Sequence, residues 1–250
     1  MKKALLLLSL FLLFVGCEKR SVSLVKTTGD IITIDSTLRE KDAFNNLIAP
    51  YKRKMIAQIN AVISYAPKNI NRYDGKMQSS LGNLLADLCY DRANVIFKEE
   101  TGKEIDFSMF NYGGIRASIS KGPVTNKNPF ELMPFENHLV VVELSGKKIM
   151  ELVSYFIKNK SAHPLSKNIE LIVNSDASYH LKINAKKFDS TKNYFVVTSD
   201  YLQSGGDNMD FFKNPISLFK TDYKMRDAIV DEFKSLDTLR TSLDNRVILQ

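Results

Sequence analysis

Three short stretches of the chain combine residue types that commonly bind small ligands. They are residues 111–116 (NYGGIR), 134–137 (PFEN) and 201–207 (YLQSGGD). In the first stretch, paired glycines permit a tight turn, because glycine adopts backbone angles that other residues avoid. Arg116 follows that turn, and its planar guanidinium can make two parallel hydrogen bonds to an anionic or hydroxyl-rich ligand. The alternative is a surface turn whose arginine pairs with a carboxylate.

The other two stretches each place an aromatic ring near a hydrogen-bonding side chain. Phe135 lies two residues before Asn137, whose amide both donates and accepts, which suits the edge of a heterocycle. Tyr201 precedes two glycines and Asp207, whose carboxylate can accept hydrogen bonds from two vicinal hydroxyls of a ribose. Two alternatives stay open here. Phe135 could be a core aromatic at a helix end, and Asp207 could cap its own turn.

Hydrophobic periodicity places each stretch directly after a predicted strand or short helix. Helices are predicted at residues 42–64 (with a kink or restart at Pro50), about 80–96 (capped by Ser79 or Ser80), 122–133, 146–158 and 222–235. Strands are predicted at residues 105–110, 138–144, 169–173, 179–183, 194–198 and 247–249, with a hairpin at residues 22–35. Strands and helices alternate irregularly, which favours an α+β fold: a mixed sheet with flanking helices.

The N-terminus has the features of a bacterial export signal. Lys2 and Lys3 precede an apolar run at residues 4–15 that is short for a membrane-spanning helix. Residues 14–17 (FVGC) resemble a lipobox, which implies cleavage before Cys17 and lipidation of its thiol. The alternative is a leader that happens to contain a cysteine. The predicted domains are a lipoprotein signal peptide at 1–16, a lipidated tether with the hairpin at 17–40, and a single domain at 41–250.

Composition favours a globular protein and gives little support to a nucleic-acid partner. The chain has 250 residues, 44% of them apolar, and its net charge of +7 is scattered along the sequence. Scattered, mild basicity favours small anionic molecules or acidic partners. Besides Cys17 only Cys89 is present, so no internal disulfide is expected. Its place on an apolar helix face predicts that Cys89 is buried.

In this order and spacing, the three stretches resemble the C-terminal, substrate-binding domain of the 5′-nucleotidase family, from about residue 44 to the C-terminus. Gly82-Asn83 and Leu144-Ser145-Gly146 are further matching pieces. The resemblance implies that domain's fold and a nucleotide or nucleoside ligand. The binding residues that it predicts are Asn111, Gly113, Gly114, Arg116, Phe135, Asn137, Tyr201, Gly205, Gly206 and Asp207.

The resemblance also assigns individual roles. Phe135 and Tyr201 would clamp the base between two rings, an arrangement that tolerates any base because stacking does not depend on base identity. The base edge would bind Asn137 and the ribose would bind Asp207, while Arg116 would face the ligand. Family members generally carry further arginines at the positions of Asn71 and Gly75, and Arg72 is out of register with both.

Catalytic metal ligands are missing from the sequence. Full-length members of the family hydrolyse phosphate esters at a two-metal centre in a separate N-terminal domain. The three histidines here, His138, His163 and His180, lie outside the motifs that build such a centre, and the last two are expected in loops or on the surface. We therefore expect no catalytic residue and no bound cofactor in this chain. Divalent metals are expected in a partner.

These observations favour an exported, lipid-anchored subunit of a split 5′-nucleotidase, on the periplasmic or cell-surface side of a bacterial membrane. A separate metallophosphatase chain would supply the metals, and this chain would bind the nucleotide. The main alternative is a non-catalytic nucleoside- or nucleotide-binding surface lipoprotein. A third interpretation is a structural surface protein whose pocket no longer binds a ligand.

The lipid anchor can be tested directly. The substitution Cys17→Ser removes the thiol that would be acylated, so we expect an uncleaved or soluble product without lipid. Radiolabelled palmitate supplied to growing cells should enter the wild-type protein only. Equal labelling of the Cys17→Ser protein would contradict the lipobox. Stable anchoring needs more than one acyl chain, because a single chain binds membranes only marginally.

Overall fold

The computed structural model describes residues 23–250, so the predicted signal peptide and Cys17 lie outside the described residues. The chain divides into two units, Met1–Ile48 and Ala49–Gln250. Among residues 23–250, no helix combines the length and the apolar character needed to cross a bilayer.

Helices and strands alternate irregularly along the described chain, which confirms the predicted α+β class. Helices α1 to α6 are Asp42–Ile59, Ser80–Thr101, Lys127–Leu132, Gly146–Asn159, Asp200–Gln203 and Met225–Ser235. Strands β1 to β10 are Val62–Ala66, Phe107–Ser108, Gly122–Thr125, His138–Ser145, Ile169–Val173, Tyr179–Ile183, Lys186–Lys187, Asn193–Ser199, Ser217–Lys224 and Val247–Leu249. Single turns of 3-10 helix occupy Tyr112–Gly114, Gly206–Asn208 and Asp210–Phe212.

One four-stranded sheet, in the order β2-β8-β4-β9, runs through the core. Strand β8 pairs in parallel with β2 and antiparallel with β4, and β4 pairs antiparallel with β9. A second sheet has the order β10-β5-β6-β7, and β1 pairs with β3. The middle of β4 is a run of valines buried on both faces, because α2 and α4 bury apolar side chains in the same core.

Helix α2 has the cap that the sequence predicts. The Ser79 hydroxyl accepts a hydrogen bond from the Gly82 amide at 3.0 Å, and Gly102 ends the helix with a φ of 70°. Cys89, on the buried face of this helix, is fully buried as predicted, and burial raises the pKa of its thiol. Helix α4 begins at a close chain crossing, since a Cβ on Gly146 would lie 2.3 Å from the Ser190 carbonyl oxygen.

At the start of the described chain one predicted element is wrong, and a predicted helix is confirmed with a different end. Residues 23–34 form no strand, and the apolar side chains of this stretch are exposed, so the predicted hairpin is absent from the described residues. A two-stranded hairpin is marginal in water without further strands or a packed face. Helix α1 ends at Ile59 rather than near Ser64, because β-branched Val62 and Ile63 extend into β1.

The partner of β1 was also misassigned. Residues 122–125 were predicted to begin a helix, but they form β3, and helix α3 starts only at Lys127. The sequence pattern missed β9, and residues 222–224 belong to it rather than to α6.

The predicted strands at residues 138–144, 169–173, 179–183, 194–198 and 247–249 are confirmed to within one residue at either end. The strand predicted at residues 105–110 shortens to β2.

Candidate functional site

Three loops meet at one edge of the central sheet because of the directions of its strands. Strand β2 runs parallel to β8, so both strands end at the same edge. Strand β4 runs the opposite way, and its first residues pair with the last residues of β8, as Leu139 does with Ser199. The loops after β2, before β4 and after β8 therefore come together. They contain residues 111–116, 134–137 and 201–207.

The three loops enclose a cavity of about 300 Å³. The residues that line it are Asn111, Gly113, Gly114, Arg116, Phe135, Asn137, Tyr201 and Asp207. Gly205 and Gly206 are outside this lining. Gly206 instead lies against the ring of Tyr201, where an added Cβ would be 2.4 Å from two ring carbons. The structure thus brings together eight of the ten residues predicted to bind a ligand, and their roles toward a ligand stay predictions.

The first loop is a tight turn fixed by its own backbone. The Gly114 amide donates to the Asn111 carbonyl at 3.2 Å, and a Cβ on Gly114 would lie 2.7 Å from the Asn111 side-chain oxygen. The Arg116 amide donates to the Leu132 carbonyl at 2.9 Å, which ties this loop to the end of α3. The Arg116 guanidinium donates to the Gly113 carbonyl at 3.2 Å and is otherwise exposed at the cavity.

His163, which was expected in a loop or on the surface, lies in a loop but is buried, and it supports the turn at residues 111–114. Its side chain is buried, and its Nδ1 accepts a hydrogen bond from the Tyr112 amide at 3.1 Å. Burial lowers the pKa of His163 to about 4, so the ring is neutral near pH 7 and its Nδ1 can act as an acceptor. The rings of Tyr155 and Phe156 pack beside it.

Arg72 also contacts Tyr112. Its guanidinium lies over the Tyr112 ring, 4.4 Å from the ring centre, and donates to the Tyr112 carbonyl at 3.5 Å. Stacking on an aromatic face is a favourable position for a guanidinium. Arg72 is absent from the cavity lining. It therefore contacts the turn and not the cavity, and Arg116 is the cation in the lining.

The second loop is held by helix α6 and the end of β9. Glu136 forms ion pairs with Lys224, at 2.6 Å, and with Arg226. Arg226 also donates to the Phe135 carbonyl at 3.3 Å, and the Met225 amide donates to the Asn137 carbonyl at 2.9 Å. These bonds fix the backbone on both sides of the Phe135 ring.

In the third loop, Asp207 adopts a left-handed conformation with a φ of 53°. Its carboxylate accepts hydrogen bonds from the side-chain amide of Asn111 at 2.6 Å and from the Tyr201 hydroxyl at 3.0 Å. Its main-chain carbonyl accepts from the Tyr155 hydroxyl at 2.8 Å. The cavity therefore presents one guanidinium, one carboxylate, two exposed aromatic rings and the two side-chain amides of Asn111 and Asn137, which suits a ligand with an aromatic face and polar edges.

Sequence reasoning missed His163, Tyr155 and Arg226 as supports of the site. Their partners lie about 50 residues or more away along the chain, and each supporting side chain reaches a backbone group. Backbone acceptors and donors leave no residue pattern, so the sequence carries no local signal for these contacts. Within residues 23–250, no group of three or more His, Cys, Asp or Glu side chains is arranged to hold a metal ion.

The ion pairs of Glu136 should make stability depend on pH. Hydrogen bonds from Lys224 and Arg226 lower the pKa of Glu136 from 4.5 to about 2. A carboxyl group with a lowered folded-state pKa stabilises the fold above its unfolded pKa, and this contribution is lost as the pH falls from about 4.5 toward about 2. Between about pH 5 and about pH 3, the thermal midpoint of Glu136→Gln should therefore fall less than that of the wild type.

Thermal unfolding followed by circular dichroism measures this difference. Glu99→Gln, on an exposed position of α2, is the control and should follow the wild type. An equal fall in the midpoints of wild type and Glu136→Gln would contradict the assignment of these ion pairs.

Comparison with known proteins identifies the family. The family model described as "5'-nucleotidase, C-terminal domain" matches residues 55–214, more than half of the chain. Protein UshA of Escherichia coli K12 is 24% identical over 209 residues, which cover 80% of this chain and 36% of that protein. A 5'-nucleotidase of Vibrio vulnificus is 25% identical over 185 residues, covering 70% of this chain and 31% of that protein. The chain thus spans about a third of the length of these curated relatives.

A solved structure has the same fold. The crystal structure of a 5'-nucleotidase precursor from Thermus thermophilus matches with a TM-score of 0.68 at 24% identity, covering 84% of this chain and 43% of that chain. The family match contains all three loops of the site. This chain belongs to the family of 5′-nucleotidase C-terminal domains.

Proposed function

We propose that this chain is the nucleotide- or nucleoside-binding subunit of a split 5′-nucleotidase, whose metal centre is supplied by a separate metallophosphatase chain. The observation that carries the proposal is the cavity, where the exposed rings of Phe135 and Tyr201 accompany the Asn137 amide, the Asp207 carboxylate and the Arg116 guanidinium. Each of these groups suits one part of a nucleotide.

A nucleobase would enter between the two rings. Stacking on both faces stabilises any base, and the Asn137 amide would add a hydrogen bond at the base edge. The Asp207 carboxylate would accept from the sugar hydroxyls. Arg116 would face the phosphate or the sugar. A cavity of about 300 Å³ is at the lower end of the usual range for ligand sites, which fits one nucleoside with its phosphate directed outward.

Hydrolysis would then depend on the partner. In this proposal the metals polarise the phosphate and activate water, while this chain orients the base and the sugar. The curated relatives that match are about three times longer than the matching region, which leaves room in them for a further domain. A lipid anchor on Cys17 would hold this chain on a membrane outside the cytoplasm. If both chains were anchored on one membrane, each would have a higher effective concentration for binding the other.

An exposed apolar face supports a protein partner. On helix α1, Tyr51, Met55 and Ile56 are 74%, 58% and 43% exposed. Exposed apolar side chains grouped on one element are typical of interaction surfaces. The match to the family's C-terminal domain begins at residue 55, inside this helix. It is therefore the surface where we expect the metallophosphatase chain to dock.

Binding can be tested on the purified chain. Each stacking ring contributes about 1–3 kcal/mol, so Phe135→Ala should weaken adenosine binding about tenfold to a hundredfold. Asp207→Asn should weaken adenosine more than 2′,3′-dideoxyadenosine, because the dideoxy sugar lacks the hydroxyls that the carboxylate would bind. Isothermal titration calorimetry measures both effects. Phe44→Ala replaces an exposed ring of α1 outside the cavity lining and serves as the control. Equal losses for both sugars would remove Asp207 from the ribose role.

Catalysis should require both chains. The purified chain alone should release no phosphate from AMP with manganese or zinc, whereas the mixture with a metallophosphatase chain should do so. Arg116→Ala should lower the activity of the mixture, while Arg240→Ala, an exposed arginine away from the cavity, should not. Tyr51→Glu should weaken association of the two chains without changing adenosine affinity.

Phosphate release is followed by a colorimetric assay. Turnover by the single chain at an ordinary enzyme rate, about 1 s⁻¹ or more, would overturn the split-enzyme proposal. Adenosine binding without any activity in the presence of candidate partners would instead favour a non-catalytic nucleoside-binding lipoprotein.

A further inference from the structure

Asp207 is held by two tyrosine hydroxyls from different elements. Tyr155 comes from α4, and Tyr201 comes from α5. The Tyr201 hydroxyl contacts the residue twice: it donates to the carboxylate at 3.0 Å and accepts from the Asp207 amide at 3.3 Å. The Tyr155 hydroxyl donates to the main-chain carbonyl of Asp207 at 2.8 Å. All three polar groups of Asp207 are therefore bonded to a tyrosine.

These bonds offset an unfavourable backbone conformation. Asp207 has a φ of 53° and Asn208 a φ of 58°, and two successive left-handed residues other than glycine are uncommon. Such a turn persists only where its surroundings fix it. The Tyr155 ring is itself packed between His163 and Phe211, at centroid distances of 5.5 and 5.4 Å. Its hydroxyl is thus a fixed donor rather than a mobile surface group.

The bonds leave the carboxylate partly free on the cavity side. An ionised carboxylate has about four acceptor positions, two on each oxygen. One oxygen accepts from Asn111 and the other accepts from Tyr201. Each oxygen therefore keeps about one acceptor position, which is the pattern that two adjacent hydroxyl groups of a sugar require.

We propose that Tyr155 and the Tyr201 hydroxyl are positioning residues that make the cavity selective for ligands with a vicinal diol, because they hold Asp207 with one free acceptor on each carboxylate oxygen. This inference rests on the proposed nucleoside-binding function and deepens it. Tyr155 is absent from the cavity lining, so its effect on a ligand passes through Asp207 alone. Tyr201 combines two separable roles, since its ring would stack and its hydroxyl would orient the carboxylate.

Two conservative substitutions test the proposal. Tyr155→Phe and Tyr201→Phe each keep the ring and remove one hydroxyl. Each should weaken adenosine binding about fivefold, which is the usual effect of one net hydrogen bond, and should leave 2′,3′-dideoxyadenosine binding unchanged. Tyr90→Phe is the matched control, because the Tyr90 hydroxyl also donates to a backbone carbonyl, that of Ile105 at 3.1 Å, away from the cavity. It should change neither affinity.

A double-mutant cycle separates positioning from a general loss of structure. In the Asp207→Asn background, Tyr155→Phe should have no further effect on the ratio of adenosine to dideoxyadenosine affinity. The inference would be overturned if the ratio of adenosine to dideoxyadenosine affinity stayed unchanged in both single variants, whether the two affinities fell by the same factor or not at all. The nucleoside site would still stand. Failure of the wild-type protein to bind either compound would overturn the proposed function, and this inference with it.

Discussion

The site depends on the direction in which three strands pair. Strand β8 lies between β2 and β4, parallel to the first and antiparallel to the second. This arrangement alone brings the end of β2, the start of β4 and the end of β8 to one edge. A slip of one residue between β4 and β8 would exchange the faces of the half-buried Glu143 and the buried Leu144, so burial opposes such a slip. Core packing thus fixes the relative positions of loops that are distant in sequence.

Much of the site could be predicted because its parts are local. Paired glycines, a ring followed by an amide, and a ring followed by a carboxylate are each contiguous in sequence, and their order carries the family resemblance. The side chains that support these loops could not be predicted in this way. His163 and Tyr155 bind backbone groups that are 51 and 52 residues away, so their roles depend on the folded chain. A lone His-Pro pair indicates a loop or surface position; His163 does lie in a loop, but no feature of its sequence indicated that its ring is buried.

The fold was predictable where apolar residues have partners that bury them. Strands β4, β5, β6 and β8 follow their patterns because both sheets are packed by helices or by further strands. Residues 23–34 have strand-forming composition as well, yet they form no strand. Strand propensity expresses how well a side chain fits a half-buried surface, and it has little effect where no such surface exists. The same distinction explains why β9 was missed. Its side chains show no clear alternation of apolar and polar residues, although it pairs with β4 as an edge strand.

The bonds around Asp207 have a consequence for the rates of binding. In the proposed function the carboxylate already has the orientation that a sugar needs, so little rearrangement of this loop would separate the free and bound forms. Association would then be limited by diffusion and by entry of the base between the rings, steps that are nearly the same for every sugar. Differences between sugars would appear in the time for which a ligand stays bound, since related complexes differ mainly in their dissociation rates. A ribose would thus arrive no faster than a deoxyribose, but it would leave more slowly.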